Sequence, residues 1–284
     1  VQNLSDIGNH RILQMDEAGL SMQILAITTV NMELLPDDEA IEYAHLSNDI
    51  LLEGIKQNPT RLRGFAALPT DVPEKAAEEL TRCMATGCFS GAIINGHIKG
   101  HYLDEPKFEP LLNQAEKLNC PLYIHPAIPP QPVINTYYNV ADPYAKMVLT
   151  SGGWGWHIET GTHVLRMIAG GVFDRHPHLK VIVGHLGEGL PFFLERLYNA
   201  SGGNLKHPYG YYLQNNLYYT ISGFHYQNLL QYVLSVVGED HVMFSSDYPF
   251  MPLQQETDFI KNVSLADTVR EKIAHKNVEN LLGL

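Results

Sequence analysis

Short apolar runs alternate with longer amphipathic segments along the whole chain. Seven runs predict β-strands, at residues 22–27, 62–67, 91–94, 121–125, 180–184, 217–221 and 241–245. Nine amphipathic segments predict helices, at residues 12–18, 37–57, 73–86, 108–118, 159–173, 191–200, 226–237, 253–262 and 267–281. Runs such as VIVG, which ends at Gly184, are apolar at successive positions, as in parallel strands with both faces buried. The alternation therefore predicts βα units around a parallel sheet.

Seven strand–helix units preceded by a helix predict an α/β fold, a (β/α)8 TIM barrel whose first strand is missing from this sequence. The alternative is a doubly wound open sheet, but the segment AITTVNMELL after the first predicted strand has no GxGxxG phosphate loop. We expect residues 1–284 to form one domain, because no linker, repeat or low-complexity tract divides them. Residues 127–157 are predicted to form an insert that caps the barrel mouth. The aromatic residues of this insert suit a planar substrate, a packed loop or a subunit interface.

The charge balance narrows the classes of partner. The 284 residues carry 19 Lys and Arg against 31 Asp and Glu, a formal net charge of −12, which argues against nucleic acid as a partner. An anionic small molecule stays compatible with this balance, because a metal ion or a local Arg can reverse the potential inside a pocket. The three cysteines lack CxxC spacing and are expected to be reduced, and no apolar run reaches the ~18 residues of a membrane span. We therefore expect a cytoplasmic protein that binds neither nucleic acid nor membrane.

Polar residues follow directly after several of the predicted strands. Asn95, His125, His185 and Asp247 each end an apolar run. In a barrel the carboxyl ends of the strands meet at one face, which carries the chemistry. A single histidine at a strand end is most often a hydrogen-bonded core residue, but two histidines and an aspartate on one face favour a metal site. Neutral imidazole and carboxylate are common ligands of Zn²⁺ and Mn²⁺.

The segment HLGEGLP adds a local pattern at one of these strand ends. Gly187 and Gly189 permit a tight turn after His185, and Glu188 comes just before the next helix. An ordinary strand-to-helix turn gives the same pattern. In FSSDYPF, Asp247 precedes Tyr-Pro, so its carboxylate either caps the turn or lies free at the rim.

Longer motifs give the chain a resemblance to the amidohydrolase superfamily. These motifs are RGFAALP, GAIINGH, PLYIHP, HLKVIVGHLGEGLPFFLERL and HVMFSSDYPF, and together they extend over essentially the whole chain. The chain looks most like the branch around aminocarboxymuconate-semialdehyde decarboxylase and the γ-resorcylate and 2,3-dihydroxybenzoate decarboxylases. This resemblance again implies a TIM barrel.

The resemblance also implies roles for individual residues. His125 and Asp247 would be metal ligands, and His185 would be the acid/base residue. Glu188 and Arg196 would contact the substrate. The family has a first strand ending in an ExH or HxH pair of further ligands, and nothing before Met22 matches it. We expect that strand to lie upstream of Val1.

The leading functional hypothesis is metal-dependent, non-oxidative decarboxylation of a small aromatic, hydroxybenzoate-like acid. One divalent ion, Zn²⁺ or Mn²⁺ with Mg²⁺ as a further option, would chelate the substrate, and Asp247 or His185 would deliver the proton. Asn95 and His157 are further candidates for substrate contact. The first alternative is a metal-dependent hydrolase of a lactone, ester or amide, and the second is a non-catalytic binding protein with an incomplete metal site. The family resemblance also implies a homo-oligomer, a dimer or a tetramer.

Overall fold

The computed structural model describes residues 2–27, 32–200 and 203–284. Within these ranges seven strands form one sheet in chain order, and every neighbouring pair is parallel. The strands are β1 (Gln23–Ala26), β2 (Leu62–Ala67), β3 (Phe89–Asn95), β4 (Leu122–His125), β5 (Val181–Val183), β6 (Leu217–Thr220) and β7 (Val242–Met243). All seven predicted strands are therefore confirmed. Part of the AITTVNMELL segment, residues 28–31, lies outside the described residues.

The helices surround this sheet and connect its strands. They are α1 (Gln2–Ser5), α2 (Asn9–Ala18), α3 (Asp37–Gln57), α4 (Pro73–Ala85), α5 (Glu109–Lys117), α6 (Gln131–Tyr137), α7 (Pro143–Thr150), α8 (Gly155–Ala169), α9 (Val172–Arg175), α10 (Leu190–Tyr198), α11 (Tyr209–Asn215), α12 (Gln227–Val237), α13 (Leu253–Asn262), α14 (Asp267–Glu271) and α15 (Asn277–Leu282). A π-helical turn, Lys272–Lys276, joins the last two helices. The nine predicted helices are present, and α1, α6, α7 and α11 were not predicted.

The sheet curls so that one face of it forms the inside of a barrel. Alternate residues of a strand point to opposite faces, and one set forms an interior cluster that includes Phe65, Ile93, Ile182 and Met243, with Tyr123 packed against it. The other set packs against the surrounding helices in the main hydrophobic core. This arrangement confirms the TIM-barrel fold. Among the described strands β1 and β7 are the two edges and do not pair with each other.

The same alternation places the polar strand ends over the interior cluster. Asn95 lies two residues beyond Ile93, and His125 lies two residues beyond Tyr123, so both side chains lie on the inner face. Asn95 and His125 are also direct register partners across β3 and β4. The carboxyl end of the barrel is therefore lined by residues that the sequence singled out.

Helix α2 packs beside the open side of the sheet, against the last part of the chain. Lys261 on α13 donates a hydrogen bond from Nζ to the Ala18 carbonyl at 2.9 Å, and the Tyr248 hydroxyl donates to Gln14 Oε1. The guanidinium of Arg11 lies over the Tyr248 ring, 5.0 Å from its centroid. The two ends of the described chain are thus held together next to the Asp247 loop.

The insert at 127–157 contains α6, α7 and the first residues of α8. Tyr138 is buried, whereas Tyr137, Tyr144 and Trp154 expose 73%, 72% and 51% of their surface. Most of the Tyr and Trp side chains of this insert are therefore exposed. Within the described ranges, no helix is both long enough and apolar enough to span a bilayer.

Candidate functional site

His125 presents one free ring nitrogen at the barrel mouth. Its Nδ1 lies 2.9 Å from the Pro126 carbonyl and donates to it, which leaves Nε2 as the nitrogen with the lone pair. No group of the described residues bonds to that Nε2. Burial is the main cause that lowers the pKa of His125, and the electrostatic effect of His185 acts in the same direction. A buried neutral imidazole with a free lone pair is the form that binds a metal ion.

The segment from His185 to Gly189 is a left-handed turn between β5 and α10. All five residues have positive φ, and three of them are not glycine: His185 at 49°, Leu186 at 54° and Glu188 at 55°. Left-handed backbone costs about 1–2 kcal/mol for each non-glycine residue. Hydrogen bonds hold the turn, including one from the Leu186 amide to the Thr220 carbonyl at 2.8 Å. Strained backbone that is held in this way is a frequent feature of functional sites.

Because of this turn, the carboxylate of Glu188 folds back beneath the barrel mouth. One oxygen lies 2.6 Å from His185 Nδ1, and the other lies 2.5 Å from Nδ1 of His157, at the start of α8. The Glu188 side chain is fully buried. Burial alone would raise the pKa of Glu188, but the hydrogen bonds from His157 and His185 outweigh it and lower that pKa. Glu188 is therefore an ionised bridge between two imidazoles.

The ligand atoms of His157, His185 and Glu188 all lie within 4.8 Å of one another, which is also a spacing compatible with a metal ion. At both short contacts, between each Nδ1 and one Glu188 oxygen, a nitrogen that can carry a proton faces a carboxylate oxygen, which is the arrangement of a charge-assisted hydrogen bond. The nitrogen and oxygen atoms that would have to coordinate a metal ion are therefore already engaged in these hydrogen bonds. We therefore interpret this cluster as a hydrogen-bonded triad.

Gly184, just before this turn, allows the triad to pack closely against β4. A Cβ at this position would lie 2.8 Å from the Tyr123 hydroxyl and 3.4 Å from Glu188 Oε1. Tyr123 hydrogen-bonds to Thr220 Oγ1 at 3.3 Å, and its burial, with the charges of Glu188 and Asp247, raises its pKa to about 12. Tyr123 is therefore a neutral group below the mouth.

Asp247 lies beyond β7 with an unpaired carboxylate. No group of the described residues donates a hydrogen bond to its oxygens, and burial raises its pKa. The carboxylate of Glu256, from α13, accepts the Asp247 amide with both oxygens, at 3.0 and 2.8 Å. Burial also raises the pKa of Glu256, to about 7. Two carboxyl groups thus lie close together, and the imidazole 3.4 Å from Glu256, that of His225, has a pKa lowered by burial.

Asp247 and His185 border the same space. A Cβ on Gly223, which follows β6, would lie 3.7 Å from Asp247 Oδ2 and 3.9 Å from His185 Nε2. Phe224, the next residue, packs edge-on against the rings of both His185 and His157, with centroids 5.6 and 5.4 Å away. The free His125 nitrogen and the unpaired Asp247 carboxylate are chemically suited to a divalent ion, since imidazole and carboxylate bind Zn²⁺ and Mn²⁺.

The sequence also predicted Asn95 and Arg196 as substrate contacts, and the structure gives their positions. Asn95 is at the end of β3 beside His125, and it lines a small cleft with Asp71 and His97. Arg196 is in the second turn of α10 with its side chain exposed to solvent. Its role as a substrate contact stays a prediction.

Sequence reasoning missed Glu256 and Tyr123. The signal for Glu256 is present in the sequence: α13 buries Leu253, Glu256, Thr257 and Ile260, so the glutamate falls on the apolar face of the helix. Tyr123 gave no signal, because an aromatic residue within an apolar strand is an ordinary core residue.

Comparison with known proteins identifies the family. The sequence model of the amidohydrolase family matches residues 11–284. A γ-resorcylate decarboxylase of Polaromonas sp. (strain JS666) is 35% identical over 99% of this chain and 89% of its own length. A putative amidohydrolase of Staphylococcus aureus has 36% identity and a TM-score of 0.93, over 97% of this chain and 91% of that one.

A further solved structure carries a metal ion. It is a dihydroxybenzoic acid decarboxylase of Polaromonas sp. JS666 with bound manganese and the inhibitor 2-nitroresorcinol. Its identity is 33% and its TM-score 0.90, over 98% of this chain and 86% of that chain. The match along nearly the whole chain and the shared fold lead to one conclusion: this chain belongs to the amidohydrolase family.

Proposed function

We propose that this chain is a metal-dependent decarboxylase that releases the carboxyl group of a hydroxybenzoate-like acid as CO₂ without oxidation. The observation that carries the proposal is the convergence at the barrel mouth of a free imidazole nitrogen of His125, an unpaired carboxylate of Asp247 and the Nε2 of His185. The relatives at 35% identity are γ-resorcylate decarboxylases, which supports the substrate class and the reaction.

His125 and Asp247 would hold the divalent ion, as expected from the sequence. Bound there, the ion would supply positive charge that offsets the charge of the substrate anion. Manganese is the ion in the similar Polaromonas structure, and Zn²⁺ and Mg²⁺ are the alternatives. The first-strand pair expected from the resemblance stays a prediction.

His185 and Asp247 are the two groups placed to move the proton. The proton adds to the ring carbon that carries the carboxylate, the bond between that carbon and the carboxylate carbon breaks, and its electron pair stays with the ring as CO₂ leaves. Glu188 fixes His185 Nδ1 as a donor, so Nε2 is the atom that faces the shared space. General acid catalysis of this kind contributes about 10²–10⁴-fold.

Further parts of the proposal concern the surroundings of the site. Asn95 and Arg196 would contact the substrate, and residues 127–157 would cover the mouth of a single domain formed by residues 1–284. The exposed aromatic residues of this insert support a homo-oligomer, a dimer or a tetramer, with this face buried between copies. Three free cysteines, of which Cys83 and Cys120 are buried, support a reducing, cytoplasmic location.

The test is to load the protein with Mn²⁺ or Zn²⁺ and supply a panel of hydroxybenzoates in D₂O. We expect CO₂ release, with one deuterium in the product at the carbon that lost its carboxylate. Hydrolysis of lactones or esters, with no CO₂ released from any of the acids, would contradict the proposal.

A further inference from the structure

His157 has an acceptor at each of its ring nitrogens. Nδ1 lies 2.5 Å from Glu188 Oε2, and Nε2 lies 3.0 Å from the Gly152 carbonyl. A neutral imidazole has a single N–H and can donate to only one of these acceptors, whereas the imidazolium donates to both. The contacts therefore match a positively charged His157.

We infer that His157 is a cationic positioning residue, which acts on the proton-transferring His185 through the shared carboxylate of Glu188. This inference rests on the proposed function for the role of His185. It also gives His157 a different task from the substrate contact expected from the sequence, because both of its nitrogens are already bonded and its side chain is only 15% exposed.

The role of His157 follows from the need to balance the negative charge of the Glu188 carboxylate. Glu188 is buried, and a buried carboxylate needs a counter-charge. If His185 were its only partner, His185 would have to supply that counter-charge by itself. With His157 as the cation, Glu188 is already neutralised, so His185 stays free to gain and lose a proton at Nε2.

Among the neighbours of His157, Glu188 is the group that stabilises a positive charge on its ring. Within the described ranges, the ionisable groups in contact with its ring are Glu188 and His185, both from the β5–α10 turn, while Phe224 is apolar and Gly152 offers only a carbonyl. Burial by itself lowers the pKa of His157, but the hydrogen bond and the charge of Glu188 outweigh it and raise that pKa. The direction of this shift agrees with the two contacts.

The kinetic test uses two substitutions at this position. His157→Phe removes both hydrogen bonds and the charge, and we expect kcat to fall about 10–100-fold, the usual cost of losing a partner of this kind, with KM changed less than threefold. The pH profile of kcat should move to higher pH, because His185 then becomes the only cation beside Glu188. His157→Gln keeps one donor for Glu188 without the charge, so it should recover part of kcat but retain the shifted profile.

His176→Phe is the matched control, because His176 is also buried and contacts two carboxylates, Glu109 at 2.8 Å and Glu116 at 3.3 Å, on other elements of the fold. We expect it to lower the melting temperature and leave the pH profile of kcat unchanged. A His157→Phe protein with the pH profile and kcat of the parent would overturn the inference.

A second measurement is independent of turnover. In ¹⁵N-histidine-labelled, Zn²⁺-loaded protein at pH 7, we expect both nitrogens of His157 to carry protons, assigned by comparison with His157→Gln. A neutral His157 overturns the inference even if CO₂ is released. A charged His157 in a protein that decarboxylates none of the acids supports the charge arrangement while the proposed function fails.

Discussion

Two strand ends at the barrel mouth differ in how their charges are balanced. After β5, Glu188 has an imidazole on each oxygen, and both bonds are 2.6 Å or shorter. After β7, the side-chain carboxylate of Asp247 has no hydrogen-bond donor among the described residues, and Glu256 accepts the Asp247 backbone amide. The first end is neutralised by the protein itself, and the second keeps an excess of negative charge.

This difference indicates which end depends on a cation from solution. At the β5 end the hydrogen bonds lower the pKa of Glu188 in spite of its burial. At the β7 end burial raises the pKa of both Asp247 and Glu256, because it outweighs the opposing effects of His185 on Asp247 and of hydrogen bonds on Glu256. A divalent ion would supply the missing charge there. Four predictions test the comparison, from the largest expected effect to the smallest.

The largest effect is expected from the proposed ligands. Asp247→Asn and His125→Ala should each remove most of the bound metal and reduce activity by at least about 10²-fold, since the ion and the proton-transfer group are both affected. His185→Ala should retain the metal and lose turnover. Metal content measured by elemental analysis after dialysis decides this, and an Asp247→Asn protein with a full complement of metal would contradict the assignment.

A smaller effect is expected at the balanced end. Glu188→Gln keeps the shape of the side chain but removes the charge that two imidazoles share, so kcat should fall about 10–100-fold while the metal stays bound. Glu195→Gln, an exposed change on the same helix, is the control and should leave kcat unchanged. Loss of metal from the Glu188→Gln protein would mean that the strand end after β5 also contributes to metal binding, which would contradict the comparison.

The pH dependence of stability should reveal the unbalanced end. The pKa of Glu256 is about 7 in the folded protein, above its ordinary value of 4.5, so the folded state binds more protons between these values. The free energy of unfolding of EDTA-treated protein should therefore fall as pH rises from about 4 to about 7.5, by at most about 3 kcal/mol. Chemical denaturation at several pH values measures this.

Two comparisons make that measurement specific. Glu256→Gln should flatten the dependence, whereas Asp258→Asn, exposed on the same helix, should not. Added Mn²⁺ should also reduce the slope, because the ion stabilises the ionised carboxyl groups. An unchanged slope in Glu256→Gln would assign the dependence to other groups.

The smallest effect is expected at Arg196, outside both ends. An exposed charge contributes about 0–1 kcal/mol, so Arg196→Ala should raise KM by no more than about fivefold with kcat unchanged, as for a contact that binds substrate and transition state equally. Steady-state kinetics with the preferred hydroxybenzoate checks this. A large fall in kcat would place Arg196 closer to the chemistry than its exposed position on α10 suggests.

Much of the fold was readable from the sequence because its signals are local. Buried parallel strands are continuous apolar runs, and the long helices have a clear apolar stripe, so α3 and α13 were predicted with the ends that the structure gives them. The short helices α6, α7 and α11 were missed because they are rich in Pro, Tyr and Asn, and their stability comes from packing.

The site divides in the same way. The sequence by itself determined which residues end the strands, and therefore that His125, His185 and Asp247 would meet at one face of a barrel. Only the tertiary structure decided their partners, since Glu188 and His157 are 31 residues apart and lie on different elements. The positions of strand ends follow from a hydrophobic pattern that a few neighbouring residues encode. The charge balance of a side chain depends instead on contacts with residues distant in the sequence, and these contacts form only when the chain folds around its core.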